Sequence, residues 1–279
     1  MKRVFCSLPR KFLHALLLVV LCVGSALLQS CSDDNPVTPP ADNPVEVTLR
    51  IYGVFNGAPL QLNQKYQTVG GDNVQFSMIR FYLSEMALVD SLGQEVPVSD
   101  HKISLVDFSD ATIVQQGYFS VRVKANPGTY RGVKFGVGVP FAENHKDAAT
   151  QSLPLGPNSD MFWGWNPGYI FHRIEGKADS ASASVDFIYH IGLDNHFLTV
   201  LLANLTGASR TVFNVSATAT NTFSVNADYS KLFSIGMNPP NAMLLRANPE
   251  ERVTHSFGSA APLADRIFGN MQTIFSIRP

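Results

Sequence analysis

The histidines and tryptophans are the residues of this chain whose types and spacing suggest a site. The two tryptophans, Trp163 and Trp165, lie two residues apart, just before Asn166-Pro167-Gly168. Side chains at i and i+2 of an extended strand point to the same side, so both indoles are predicted to share one face. Neutral imidazole is a common ligand of transition metals. Four histidines in or after this segment are therefore candidate metal ligands: His172, His190, His196 and His255.

The cysteines exclude thiol chemistry from most of the chain. They are Cys6, Cys22 and Cys31, so none follows residue 31. Cysteine-based zinc sites and thiolate nucleophiles are excluded beyond that point. The sequence also lacks the Gly-x-Ser-x-Gly nucleophile motif, the His-Glu-x-x-His zinc motif and a phosphate-binding glycine loop. We therefore expect a binding protein rather than an enzyme.

The stretch VDFIYHIG predicts how two histidines meet. Its alternation places Phe187 and Tyr189 on one face of a strand and His190 on the other. The following Gly192-Leu193-Asp194-Asn195 is predicted to be a turn, and His196 to begin the next strand. A hairpin of this kind brings two imidazoles close enough to share a metal ion.

A structural role for these residues is the alternative. A histidine among apolar neighbours is often a hydrogen-bonded core residue, and a tryptophan in a sandwich core buries about 150–250 Å². A ligating histidine usually donates its second N–H to a carboxylate or carbonyl. The carboxylates nearest in sequence to the candidates are those of Asp160, Glu175 and Asp194. Periodicity alone does not separate the two interpretations.

The elements that must position these residues are predicted to be mostly strands. Period-2 runs rich in Val, Phe and Tyr, separated by turn residues, are strand and hairpin signals. Asn126-Pro127-Gly128 is predicted to join two such strands as a hairpin. The predicted strands are 45–52, 74–89, 118–124, 130–139, 187–191, 197–202 and 210–218. A single helical turn is predicted over 228–233 and an amphipathic helix over 262–275. We expect an all-β domain over 45–279: an antiparallel β-sandwich closed by a short C-terminal helix.

The amino terminus predicts export. Four basic residues precede an apolar run that is short for a membrane span, which is typical of a secretory signal over 1–30. Leu28-Gln29-Ser30-Cys31 resembles a bacterial lipobox, which implies a lipid on Cys31; an ordinary signal peptide is the alternative. Residues 31–44 are rich in proline and predict a flexible tether. The acidic pair after Cys31 resembles surface-export signals of Bacteroidetes lipoproteins. We expect an outer-membrane lipoprotein that faces the periplasm or the cell surface.

The charge balance excludes one class of partner. Removal of residues 1–30 takes away Lys2, Arg3, Arg10 and Lys11 and no acid, which shifts the formal net charge from −1 to −5. No basic cluster follows, so nucleic-acid binding is not expected.

Five segments together resemble a known family. They are residues 71–98, 127–140, MFWGWNPGYIFHRIEG (161–176), FIYHIG (187–192) and HSFGSAAPLADRIFGNM (255–271). In this order they are similar to the MbnP-like family, copper-associated periplasmic and surface proteins linked to methanobactin uptake operons. The resemblance covers about residues 45–275.

The resemblance implies a β-rich domain that binds one copper ion through histidines. His190 and His255 match positions in the family motifs, and His172 and His196 are the further candidates. It also implies a partner dihaem, peroxidase-like enzyme that oxidises a tryptophan to kynurenine, with Trp163 or Trp165 as its target.

Three functions follow from these patterns. The first is a copper-binding envelope lipoprotein that carries, scavenges or stores the metal. The second is a surface module for carbohydrate or protein, with the tryptophans as a stacking platform. The third is a structural lipoprotein whose histidines only satisfy backbone groups.

Overall fold

A computed structural model describes residues 43–164, 168–179, 183–203, 212–234 and 242–278. The predicted signal, Cys31 and most of the tether lie outside these residues, as does Trp165. No helix within the described ranges is both long and apolar enough to span a membrane.

Two sheets pack face to face. Among the described residues the smaller sheet has five strands in the order β15 (Phe275–Ile277), β13 (Asn221–Asp228), β1 (Val45–Phe55) and β2 (Ala58–Pro59), with β7 (Phe119–Ala125) also paired to β1. The larger sheet has the order β11 (Leu198–Ala203), β8 (Gly128–Val137), β4 (Asn73–Asp90), β9 (Ile170–Asp179), β10 (Ser184–Gly192) and β14 (Val253–Thr254). Four short strands extend it: β3 (Lys65–Gln67), β5 (Glu95–Pro97) and β6 (Ser104–Asp107) on β4, and β12 (Phe213–Val215) on β8.

Short helices and 3₁₀ turns join the strands. The helices are α1 (Ala111–Gln116), α2 (Phe141–Asn144) and α3 (Ala261–Met271). The 3₁₀ turns are Ala148–Thr150, Pro157–Ser159, Asp194–His196, Tyr229–Phe233, Pro249–Glu251 and Gly258–Ala260. The predicted β-sandwich with a C-terminal helix is confirmed. Most pairs are antiparallel, while β1 pairs with β13 and β10 with β14 in parallel.

Alternation along each strand builds the main core. In β1, the side chains of Val47, Leu49 and Ile51 are buried while the residues between them are partly exposed. In β10, Phe187 and Tyr189 are buried on the inner face, as predicted. Inward residues of both sheets and of α3 form one continuous apolar cluster. Burial of each such side chain contributes about 1.5–3 kcal/mol.

Two predicted hairpins are wrong. Asn126-Pro127-Gly128 links β7 in the smaller sheet to β8 in the larger one, because each strand pairs with a longer strand of its own sheet. Likewise β10 does not pair with β11, which lies against β8 on the far side of the sheet. His196 belongs to the 3₁₀ turn Asp194–His196 rather than to a strand.

Chain ends and short elements refine the other predictions. The C-terminal helix stops at Met271, and Phe275–Ile277 pairs with β13 as a strand. The helical turn predicted over 228–233 is present, with the Asp228 carboxylate accepting from the backbone N–H of Ser230. Of the strand predicted over 210–218, residues 210 and 211 lie outside the described residues and Phe213–Val215 forms β12.

The core holds a fully buried histidine. His172 on β9 contacts Phe81, and a hydrogen bond of 3.0 Å joins its Nε2 to the hydroxyl of Tyr229. Its Nδ1 is buried and has no hydrogen-bond partner among the residues that the structure describes. Burial disfavours the charged ring and lowers the pKa of His172 to about 3. The neutral imidazole is therefore part of the folded core.

We expect this histidine to make the fold acid-sensitive. The folded pKa is depressed, so below about pH 6.5 the unfolded chain binds the proton that the folded chain does not, and stability falls as pH falls towards 3. Between pH 7.5 and 4.5 the loss from this group is about 2–3 kcal/mol. Urea unfolding at the two pH values measures it, and His172→Gln is expected to lack this part of the pH dependence.

Tyr229→Phe serves as the control because it removes the hydrogen bond but keeps the buried ring. It is expected to retain the wild-type pH dependence. An unchanged pH dependence in His172→Gln contradicts the assignment.

Candidate metal centre

His190 and His255 meet on the outer face of the larger sheet. His190 points outward from β10 because Phe187 and Tyr189 occupy the inner face. The two-residue strand β14 pairs with β10 in parallel and places His255 beside it. The ring centres are 4.8 Å apart, and the ring planes lie at 79° to each other.

A buried serine fixes this juxtaposition. Ser256 donates from its hydroxyl to the His190 carbonyl at 2.9 Å and accepts from the Gly192 backbone N–H at 2.9 Å. Its backbone φ of 69° turns the chain immediately after His255. The segment that carries His255 is thus attached to β10 on both sides of Ile191.

A carboxylate orients the His190 ring. The Nε2–H of His190 donates to Oε1 of Glu175 on β9 at 2.8 Å, and Nε of Arg173 donates to the same oxygen at 2.7 Å. Burial lowers the pKa of His190, opposed by the hydrogen bond to Glu175 and assisted by the charge of Arg173. Burial alone raises the pKa of Glu175, but its hydrogen bonds to His190 and Arg173 outweigh this and lower it.

Trp163 packs against Gly192 and Phe257, which follow His190 and His255 by two residues each. Its backbone N–H donates to the Gly168 carbonyl at 3.1 Å, closing the loop that follows. The indole is only 4% exposed and packs on Gly192, where an added Cβ would lie 2.7 Å from the indole ring. Gly192 is the last residue of β10, at an irregularity of its pairing with β9. Phe257 contacts the indole edge-on, with ring centres 6.3 Å apart.

Two arginines anchor the start of the segment from Asp160 to Gly168 that carries both tryptophans, which we call the tryptophan loop. Arg80 on β4 and Arg173 on β9 are directly opposite each other, an arrangement that is unfavourable for like charges. Asp160 relieves it, since one oxygen of its carboxylate lies 3.3 Å from Nη1 of Arg80 and 2.8 Å from Nη1 of Arg173. Arg173 thus contacts both Asp160 and Glu175 and connects the loop to the His190 ring.

The other two candidate histidines occupy different environments. His172 points to the inner face of β9, into the core, whereas Arg173 and Glu175 point outward. Nδ1 of His196 donates to the Gly192 carbonyl at 2.7 Å, and its Nε2 lies 2.9 Å from the Asp265 carboxylate on α3. Both ring nitrogens of His196 therefore hold α3 and the end of β10 together. The structure unites His190 with His255 and does not bring His172 to this pair.

Three residues that position the histidine pair, Glu175, Arg173 and Ser256, are hard to identify from the sequence. Of the three carboxylates nearest in sequence, Glu175 accepts from His190, Asp160 binds the arginines and Asp194 pairs with His145. Arg173 and Ser256 had no distinguishing motif. Arg173 lies directly across from His190 because β9 and β10 pair as antiparallel strands. A prediction of that pairing would have placed Arg173 beside His190.

Comparison with known proteins identifies the family. The sequence profile of MbnP matches residues 44–253. The chain belongs to the MbnP family. A solved structure of MbnP from Methylosinus trichosporium is similar, with a TM-score of 0.51 and 19% sequence identity, over 68% of this chain and 78% of that one. That likeness supports the MbnP fold. No curated protein matches this chain.

Membership of the MbnP family makes this a copper-associated protein. The separation of the two ring centres matches the spacing expected of two imidazoles on one ion. An ion about 2 Å from each ligating nitrogen lies about 3 Å from each ring centre, so two imidazoles at a near-tetrahedral angle have centres about 5 Å apart. The observed separation is 4.8 Å. Within the described ranges, no group of three His, Cys, Asp or Glu side chains surrounds one point.

We expect Gly192→Ala to displace the indole. The added Cβ would lie 2.7 Å from the Trp163 ring and 2.6 Å from the Tyr169 carbonyl oxygen, so the indole must move. Overpacking of this kind costs about 1–3 kcal/mol. In a Trp165→Phe background, where Trp163 is the remaining tryptophan, a red-shifted emission and stronger acrylamide quenching are expected.

Gly269→Ala is the matched control. Its added Cβ meets nothing within 4 Å, and alanine is the better helix former by about 1 kcal/mol. Quenching is expected to be weak in this variant. Equal quenching in the two variants contradicts the packing of Trp163 on Gly192.

Proposed function

We propose that this protein binds one copper ion between His190 and His255 and acts as a metal carrier or scavenger of the cell envelope. The separation of 4.8 Å between the two ring centres is the observation that carries the proposal. Membership of the MbnP family supports copper as the metal. Copper(II) is also the strongest binder among divalent first-row metals at nitrogen and oxygen ligands.

The donor set suits copper in a domain without thiols. The Nε2–H of His190 is engaged by Glu175, which leaves the Nδ1 lone pair for a metal. A carboxylate–histidine pair of this type is the usual support of a metal-binding imidazole. The tryptophan loop is the source of a further donor in this proposal. In this proposal a partner dihaem, peroxidase-like enzyme oxidises Trp163 or Trp165 with two equivalents of peroxide to N-formylkynurenine and water. Hydrolysis then releases the former indole C2 as formate, and the arylamine nitrogen of kynurenine is the further donor.

Attachment to a membrane completes the proposed role. A lipid on Cys31 holds the domain at the outer membrane, and residues 31–44 act as the tether. In this proposal the protein binds and delivers copper and does not catalyse a reaction. Nucleic acid plays no part in it, because the chain from residue 31 on is acidic.

The carbohydrate- or protein-binding alternative has less support. A stacking platform requires exposed aromatic faces, and the Trp163 side chain is buried. Trp165 lies outside the described residues. No contact of the described residues favours this second function over copper binding.

Copper titration of the purified protein tests the proposal. His190→Ala combined with His255→Ala is expected to weaken copper binding by more than about 100-fold, because loss of a supporting partner alone costs about 10–100-fold. Competition with a coloured chelator measures the affinity for copper(I) and copper(II) in turn.

His145→Ala is the matched control, since His145 is half exposed and pairs with Asp194 on another segment. It is expected to bind copper as the wild type does. A double variant that retains wild-type affinity contradicts the proposed site.

A further inference from the structure

One oxygen of the Glu175 carboxylate links the His190 ring to Arg173. One oxygen, Oε1, accepts both from His190 Nε2 at 2.8 Å and from Arg173 Nε at 2.7 Å. The side chain of His190 is 13% exposed and that of Glu175 22%. Solvent screens these groups less than an exposed ion pair. The hydrogen bonds are therefore stronger and hold the His190 ring in one orientation more firmly.

The tautomer of His190 follows from this geometry. A carboxylate accepts hydrogen bonds and does not donate them when ionised. The nitrogen that faces Glu175 must therefore carry the proton, and Nδ1 keeps its lone pair.

Arg173 holds the carboxylate in the required position. Its Nε binds Glu175, while its Nη1 binds the carboxylate and the carbonyl of Asp160, both at 2.8 Å. Asp160 is anchored independently through Arg80. Glu175 is thus fixed by a guanidinium that is itself fixed at its far end, so the ring of His190 has one preferred orientation.

We infer that Glu175 is a positioning residue that selects Nδ1 of His190 as the metal-ligating nitrogen, with Arg173 as its anchor. The inference rests on the proposed function, because it assigns a role within the same histidine pair. It differs from direct ligation by Glu175, in which the carboxylate binds the metal. It also differs from a purely structural pair, which sets the same tautomer but leaves the copper affinity unchanged when Glu175 is replaced.

Two variants separate these roles. Glu175→Leu removes the acceptor with little change of volume. Glu175→Gln keeps a carbonyl oxygen, and the Arg173 N–H selects the orientation in which that oxygen faces His190. A long-range ¹H–¹⁵N histidine spectrum of the metal-free protein reports the tautomer without any metal.

We expect wild type and Glu175→Gln to show His190 protonated at Nε2, and Glu175→Leu to lose this preference. Glu175→Leu is expected to weaken copper binding about 10–100-fold, whereas Glu175→Gln recovers most of that loss. Glu46→Leu is the matched control, because Glu46 makes an exposed pair with Arg122 on the other sheet. It is expected to change neither measurement.

Two results overturn the inference. One is a wild-type His190 protonated at Nδ1 in the metal-free protein. The other is a Glu175→Gln variant that loses as much affinity as Glu175→Leu, which indicates direct ligation. If wild type binds no copper, the proposed function fails, and the metal-free spectrum still decides whether Glu175 sets the tautomer.

Discussion

The inward burial of Phe187 and Tyr189 is the constraint on which the histidine pair depends. Both side chains are fully buried between the sheets, and a one-residue slip of β10 would expose them and turn His190 inward. The hydroxyl of Tyr189 also donates to the Glu251 carbonyl at 2.7 Å, just before β14 begins. One strand therefore orients His190 directly and aligns the segment that carries His255.

A row of charges across the outer face completes the site. Asp107, Arg80, Arg173 and His190 occupy successive strands at matching register positions. Asp160 lies between the two arginines and Glu175 lies between Arg173 and the His190 ring, so that positive and negative groups alternate towards the imidazole pair. Each partly exposed pair contributes little energy alone. The row acts mainly by fixing positions: it holds the tryptophan loop and the His190 ring in a constant arrangement relative to each other.

Much of the strand pattern was predictable because alternation is local. The faces of β1 and β10 followed from residues two apart, and the family motifs pointed to both His190 and His255. Pairing was less predictable, because β7 and β8 join different sheets across a turn that resembles a hairpin connection. His172 was hardest to interpret. β9 is buried on both faces near Phe171, beneath a second apolar cluster that includes Trp163, so periodicity there does not distinguish inside from outside.

An ion bound by both histidines would also stabilise the fold of this cysteine-free domain. His190 and His255 are 65 residues apart in sequence, and a single ion held by both would join two distant points of the backbone. An ion that binds the folded chain and not the unfolded one stabilises the fold by mass action, by about 2.7 kcal/mol at a free concentration 100 times its dissociation constant. The ion would therefore act as a reversible cross-link between β10 and the segment that follows β14, in a domain that has no disulfide. Its loss would weaken the attachment of the edge strand β14 to the larger sheet.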